Sequence, residues 1–162
     1  NVRSRKPGPA SARKPHVREV RIKALDDPMI HLAKCCSPVK GEPVVGYMTA
    51  GKGITVHSLR CPLVTKEVLD ARRLVDASWD PSLQGSFKDR LLVKSLDSPG
   101  VLAKVATAVA GLEGNIARAQ VATFASGKAQ ISLEARIRDI RHLDEISKRI
   151  AALKEVVSVE RT

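Results

Sequence analysis

The sequence predicts an α+β protein built of two small units in tandem, and three observations carry that prediction. Ala129, Ile131, Leu133, Ala135 and Ile137 alternate with polar neighbours, the period of a half-buried strand. Val101, Val105, Val109 and Leu112 recur at helical spacing, so that one face of a helix is apolar and lies on a sheet. Between the halves, PSLQGSF has no period and carries proline and glycine, which marks residues 81–86 as a linker.

In the second unit, residues 87–162, the stretch RLLVKSL predicts a first strand. A helix follows, with Ser98 as its cap and Pro99 at the first helical position, where a missing N–H costs nothing. Gly114 ends the helix, Ile116 to Phe124 forms a second strand, Gly127 and Lys128 turn the chain, and residues 129–137 form the third. Leu143, Ile146, Ile150 and Leu153 then place a helix over residues 142–154, and VVSVER closes the chain as a strand. The order β-α-β-β-α-β is that of a ferredoxin-like split unit. Both helices belong on one face of its sheet, and the open face and edges invite a second copy.

The start of the first helix is the candidate ligand site. Gly100 leaves room for a guest beside the amides of Gly100, Val101 and Leu102, which carry the positive end of the helix dipole. That suits a small anion or carboxylate. Asn115, with a donor and an acceptor on a short arm, is expected level with this turn and able to close over the guest. The bland alternative is that Gly100 makes a tight turn and Asn115 a cap.

In the first unit, residues 18–80, VREVRIKAL alternates as a strand and a short helical turn is expected over residues 27–33. Val44 to Met48 and Ile54 to His57 predict a hairpin across TAGKG. LVTKEVLDARR reads as a short helix and RLVDASW as a closing strand.

A net charge of +11 favours a polyanionic neighbour such as RNA, or else serves solubility. Residues 1–17 carry five basic residues with no acid and three prolines, the composition of a mobile basic linker. No run of eighteen apolar residues is present and the N-terminus lacks the apolar core of a signal peptide, which predicts a cytosolic chain. Three unevenly spaced cysteines fit reduced thiols or a metal site better than a disulfide framework.

Cys35, Cys36, His57 and Cys61 form a candidate tetrahedral zinc set, because a returning hairpin brings the cysteine pair toward the histidine and the last cysteine. Adjacent cysteines on a strand point to opposite faces, so this requires a sharp backbone turn at the pair. Two alternatives stand beside it. Either one or two of the thiols are small buried apolar groups and His57 is a surface residue at a strand end, or Cys61 is a nucleophile with His57 as its base, although the sequence shows neither a group to orient the histidine nor an oxyanion hole.

The block HLAKCCSPVKGEPVVGYMTAGKGITVHSLRCP, followed by LDSPGVLAKVATAVAGLEGNI, resembles the C-terminal regulatory region of the RelA/SpoT family of (p)ppGpp synthetase/hydrolases across residues 18–162. The resemblance implies a ribosome-intersubunit, or conserved-cysteine, α+β domain followed by a ferredoxin-like ACT domain. It implies that catalysis lies in domains N-terminal to this region, so that the segment itself is not an enzyme. It further implies an amino acid bound by Asp97, Ser98, Gly100, Val101, Leu102, Asn115 and Ile116, with Val, Ile or Leu suiting the apolar lining. The partners it implies are ribosomal RNA, tRNA, the parent's catalytic domains and a second ACT domain in a homodimer. The competing reading is a ribosome and tRNA docking module whose ACT fold is only a protein-protein surface.

Overall fold

The computed structural model describes residues 20–22, 29–51, 53–82 and 84–162. The basic segment of residues 1–17 and the first two residues of the helical turn expected over residues 27–33 lie outside them.

The first unit is a five-stranded sheet of β1 (Val20–Ile22), β2 (Ile30–Leu32), β3 (Val44–Thr49), β4 (Gly53–Ser58) and β5 (Leu74–Trp79), in the order β1-β5-β3-β4-β2. The hairpin of β3 and β4 forms where the turn glycines foretell it, with Gly51 and Gly53 at φ 68° and 81°. Residues 30–32 are not helical. They pair in parallel with β4, Ile30 opposite Ile54, and the long-range ladder overrides a local pattern too short to have a period.

The helix expected over LVTKEVLDARR is likewise broken. One turn, α1 (Pro62–Thr65), ends where Glu67 takes a φ of 52°. A 3-10 turn over Ala71–Arg73 follows, and Asp70 initiates it by accepting the Arg72 amide at 3.0 Å, a local bond that competes with helix continuation.

The second unit is a four-stranded sheet of β6 (Phe87–Leu96), β7 (Asn115–Thr123), β8 (Lys128–Ile137) and β9 (Val156–Arg161), in the order β7-β8-β6-β9. Its helices are α2 (Val101–Ala110) and α3 (Ile140–Ala151). The β-α-β-β-α-β order and this strand arrangement are those of the ferredoxin-like fold. Alternation does the sorting. Phe87, Leu91 and Val93 of β6 and Ile131, Leu133, Ala135 and Ile137 of β8 are buried under Val101, Val105, Ala108 and Val109 of α2 and Leu143, Ile146 and Ile150 of α3.

Helix α3 begins two residues earlier than its apolar period suggests, because Asp139 accepts the His142 amide at 2.8 Å and so caps it. Buried His142 accepts the Arg138 amide at 3.0 Å through Nδ1 and donates to the Leu112 carbonyl at 2.7 Å through Nε2, so both ring nitrogens are satisfied.

The opposite face of this sheet is open and charged. Lys88 and Arg90 flank Glu134 at 3.5 and 3.9 Å, Lys94 meets Glu160 at 3.3 Å, and Arg118 and Arg136 lie alongside. Among the described residues no helix is long and apolar enough to cross a membrane.

Candidate functional site

Two places assemble the residues singled out by the sequence. At the first, the Cys35, Cys36 and Cys61 sulfurs and a His57 ring nitrogen all lie within 4.8 Å of one another. The required sharp turn is present. Residues 34–36 form a turn closed by the Ser37 amide donating to the Ala33 carbonyl at 3.0 Å, with Ser37 itself at φ 42°. Both cysteines therefore face the β4 end that carries His57, while Cys61 arrives from the first residue of the turn into α1.

The measured edges fit a tetrahedral ion. With Zn–S near 2.3 Å and Zn–N near 2.0 Å, a tetrahedron has S···S edges of about 3.8 Å and S···N edges of about 3.5 Å. Cys35 Sγ to Cys61 Sγ is 3.7 Å, and His57 Nδ1 lies 3.4 Å from Cys35 Sγ and 3.9 Å from Cys36 Sγ. The Ser58 amide donates to Cys36 Sγ at 3.3 Å, which favours thiolate.

Burial pushes the Cys36 thiol up to about 12, outweighing the Ser58 bond, and burial with neighbouring Cys61 raises Cys35. Burial also lowers His57, which favours the neutral imidazole that ligates. A dication reverses the thiol preference by supplying the charge that burial withholds, so this donor set could hold a metal ion. Cys61 is 1% exposed and its sulfur faces Cys35, which leaves it no access to a substrate as a nucleophile.

At the second place, Asp97, Ser98, Gly100, Val101 and Leu102 share the turn between β6 and α2. Gly100 is the N-cap at φ 78°, with no side-chain cap, and a Cβ placed there would meet nothing within 4 Å. Ser98 is therefore not the cap, and Pro99 precedes the helix, which starts at Val101. The Ser98 hydroxyl is buried without a partner, while its carbonyl accepts the Val101 amide at 3.2 Å. Among the described residues the Gly100 and Leu102 amides have no protein acceptor. Val101 is turned into the core and Leu102 stays 39% exposed, so Leu102 is the apolar wall of this turn.

Asn115 and Ile116 are elsewhere. Asn115 pairs with Arg136, which is also opposite Lys88, whereas the Gly100 turn follows Leu96, opposite Lys128. Helix α2 runs back along the sheet, so Asn115 stands at the far end, roughly 26 Å away along the strands. Ile116 packs against the core. The expectation that Asn115 lies level with the turn of its own chain is thus corrected by the strand register.

Comparison with known proteins divides the chain as its two sheets do. Residues 20–80 match the RelA/SpoT RIS domain and residues 83–161 match the ACT domain. A GTP pyrophosphokinase of Myxococcus xanthus is 34% identical over 144 residues, covering 88% of this chain and 18% of the relative. The bifunctional (p)ppGpp synthase/hydrolase RelA of Mycobacterium tuberculosis is 31% identical over 130 residues, 80% of this chain and 18% of the relative. The chain thus spans about a fifth of the length of these curated relatives. Among solved structures, the ACT domain from GTP pyrophosphokinase of Chlorobium tepidum covers 48% of this chain and all of its own at TM-score 0.43 and 15% identity.

Proposed function

The chain belongs to the RelA/SpoT family, carrying its RIS domain followed by an ACT domain, and from that premise we propose that it senses amino-acid supply for a (p)ppGpp synthetase/hydrolase. In this reading residues 81–86 are the linker between the two domains, and catalysis resides in other domains of the parent protein, in the cytoplasm. The ACT domain binds an amino acid, with Val, Ile or Leu as the first candidates, and the bound state alters the balance of synthesis and hydrolysis.

The observation that carries this is the uncapped helix start at Gly100. Unpartnered amides of Gly100 and Leu102, an orphaned Ser98 hydroxyl and open space over Gly100 suit a ligand carboxylate, with Leu102 against its side chain. In this reading Asp97, in the same turn, pairs with the ligand's ammonium. Asn115 joins such a site only from a second copy. Antiparallel pairing of two exposed β7 edges sets Asn115 of one copy at the level of the Gly100 turn of the other, which makes a homodimer part of the reading.

Titrating single amino acids into isotope-labelled protein tests it. Amides of Gly100 and Leu102 shift with the ligand and, in the dimer, Asn115 shifts with them. Silence with all twenty sinks the sensor reading.

The Cys35, Cys36, His57 and Cys61 set holds zinc in this account, as a structural ion that ties the β2 to β3 connection to β4. A second reading has its own support in the open sheet face, where Lys88, Arg90, Lys94, Arg118 and Arg136 outnumber Glu134 and Glu160. That face suits ribosomal RNA or tRNA phosphates, and binding through it weakens by roughly one log unit per phosphate contact for each tenfold rise in salt.

A further inference from the structure

The loop of residues 37–43, between the cysteine pair and β3, reaches out of its own unit and into the next. Val39 is fully buried in the core of the ACT unit. The Lys40 carbonyl accepts the amide of Ile140, the first residue of α3, at 2.8 Å. Gly41, at φ 95°, sits where a Cβ would come within 2.9 Å of Ile140 Cγ2, so only glycine allows this approach.

Glu42 is the centre of the seam. Its carboxylate accepts from Arg161 Nη1 and Nη2 at 2.9 Å each, from the Val39 amide at 2.5 Å, from Ser58 Oγ at 3.0 Å and from Arg60 Nε at 3.4 Å. Arg161, the last residue of β9, also donates to the Ser37 carbonyl at 2.9 Å, and its Nε is ion-paired with buried Asp89 of β6.

Both ends of this network adjoin the metal-ligand set. Ser37 follows Cys36. Ser58 follows His57, bonds Glu42 through its hydroxyl and bonds Cys36 Sγ through its amide.

We propose that Arg161 is a positioning residue of the metal centre, and that the loop of residues 37–43 couples metal loading to docking of the ACT unit. The inference rests on the zinc reading above. An ion that fixes the Cys35–Cys36 turn fixes where Ser37, Val39 and Glu42 stand, and so favours the docked arrangement that Arg161 clasps. Coupling is reciprocal, so docking raises metal affinity by the same factor that metal favours docking. Groups that orient ligands from behind commonly change metal affinity by about 10- to 100-fold.

The test uses the whole chain and zinc alone. Competition against a colorimetric chelator first gives the stoichiometry: one equivalent per chain supports the zinc reading, and none overturns both it and the coupling. Arg161→Gln then lowers zinc affinity at least about tenfold, while Ile131→Val, a core change that removes none of the Glu42 and Arg161 bonds, leaves it unchanged. Glu42→Gln, which keeps the shape of the side chain, gives the same loss and serves should Arg161→Gln not fold. In the wild type, stripping zinc accelerates hydrogen exchange of the Ile140 amide. One equivalent bound with affinity within twofold of wild type in the folded variants, or Ile140 exchange indifferent to zinc, overturns the coupling and leaves the zinc reading standing.

Discussion

The two units are held by different forces. In the ACT unit a continuous apolar layer from β6, β8, α2 and α3 is fully buried, and each of its principal side chains comes from an element with a clear period. Among the described residues of the RIS unit the sheet's own buried apolar cluster is Ile54 and Val56, with half-buried Ile30, Leu32, Val44, Met48, Val75, Ala77 and Trp79 around them. Beside them stand two polar assemblies, the Cys and His cluster and the Glu42 network. A unit this small gains from a staple. It also borrows from its neighbour, since Val39 is buried in the ACT core and the Trp79 ring meets Phe87 edge-on at 5.6 Å.

The largest expected effect of that difference is on metal removal. Chelation, or His57→Ala, should melt the RIS sheet while leaving the ACT sheet folded, read as loss of β3 and β4 amide signals with β6 and β8 retained. Next, Ile131→Ala or Ile146→Ala should cost the ACT unit about 2 to 5 kcal/mol in denaturant unfolding, with zinc stoichiometry unaltered.

A third effect bears on the seam. Burial pushes Glu42 up, but bonds from Arg161, the Val39 amide and Ser58 outweigh it and hold its carboxyl below the ordinary value of 4.5. A depressed acid contributes stability that is complete above that value and is lost as pH falls through the lower folded one. The stability gap between wild type and Glu42→Gln should therefore be full near neutrality and shrink below pH 4.5. Asp89 runs the other way, because burial outweighs Arg161 and raises it. The smallest effect is at the exposed Lys94 and Glu160 pair, where Lys94→Ala should cost less than about 1 kcal/mol in the same unfolding measurement.

What could be read in advance follows the same division. The clean alternation of β8 and the spaced valines of α2 are local signals set by burial on one face, and they hold in the structure. Strand β2 has three residues and exists because β4 offers a parallel edge, which nothing in the residues themselves announces. The turn that lets Cys35 and Cys36 face one site places Ser37 at positive φ, and serine gives no warning of that where glycine would. Asn115 looks near Gly100 along the chain, but the ten residues of α2 carry it to the opposite end of the sheet. Glu42 and Arg161 stand 119 positions apart, and no motif or spacing links a buried pair at that distance.

Hydrogen exchange on the whole chain, with zinc and after chelation, tests the contrast most directly. Removing zinc should strip protection from β3, β4 and the Ile140 amide while the centres of β6 and β8 keep theirs. Loss of protection in both sheets together, or in neither, would contradict it.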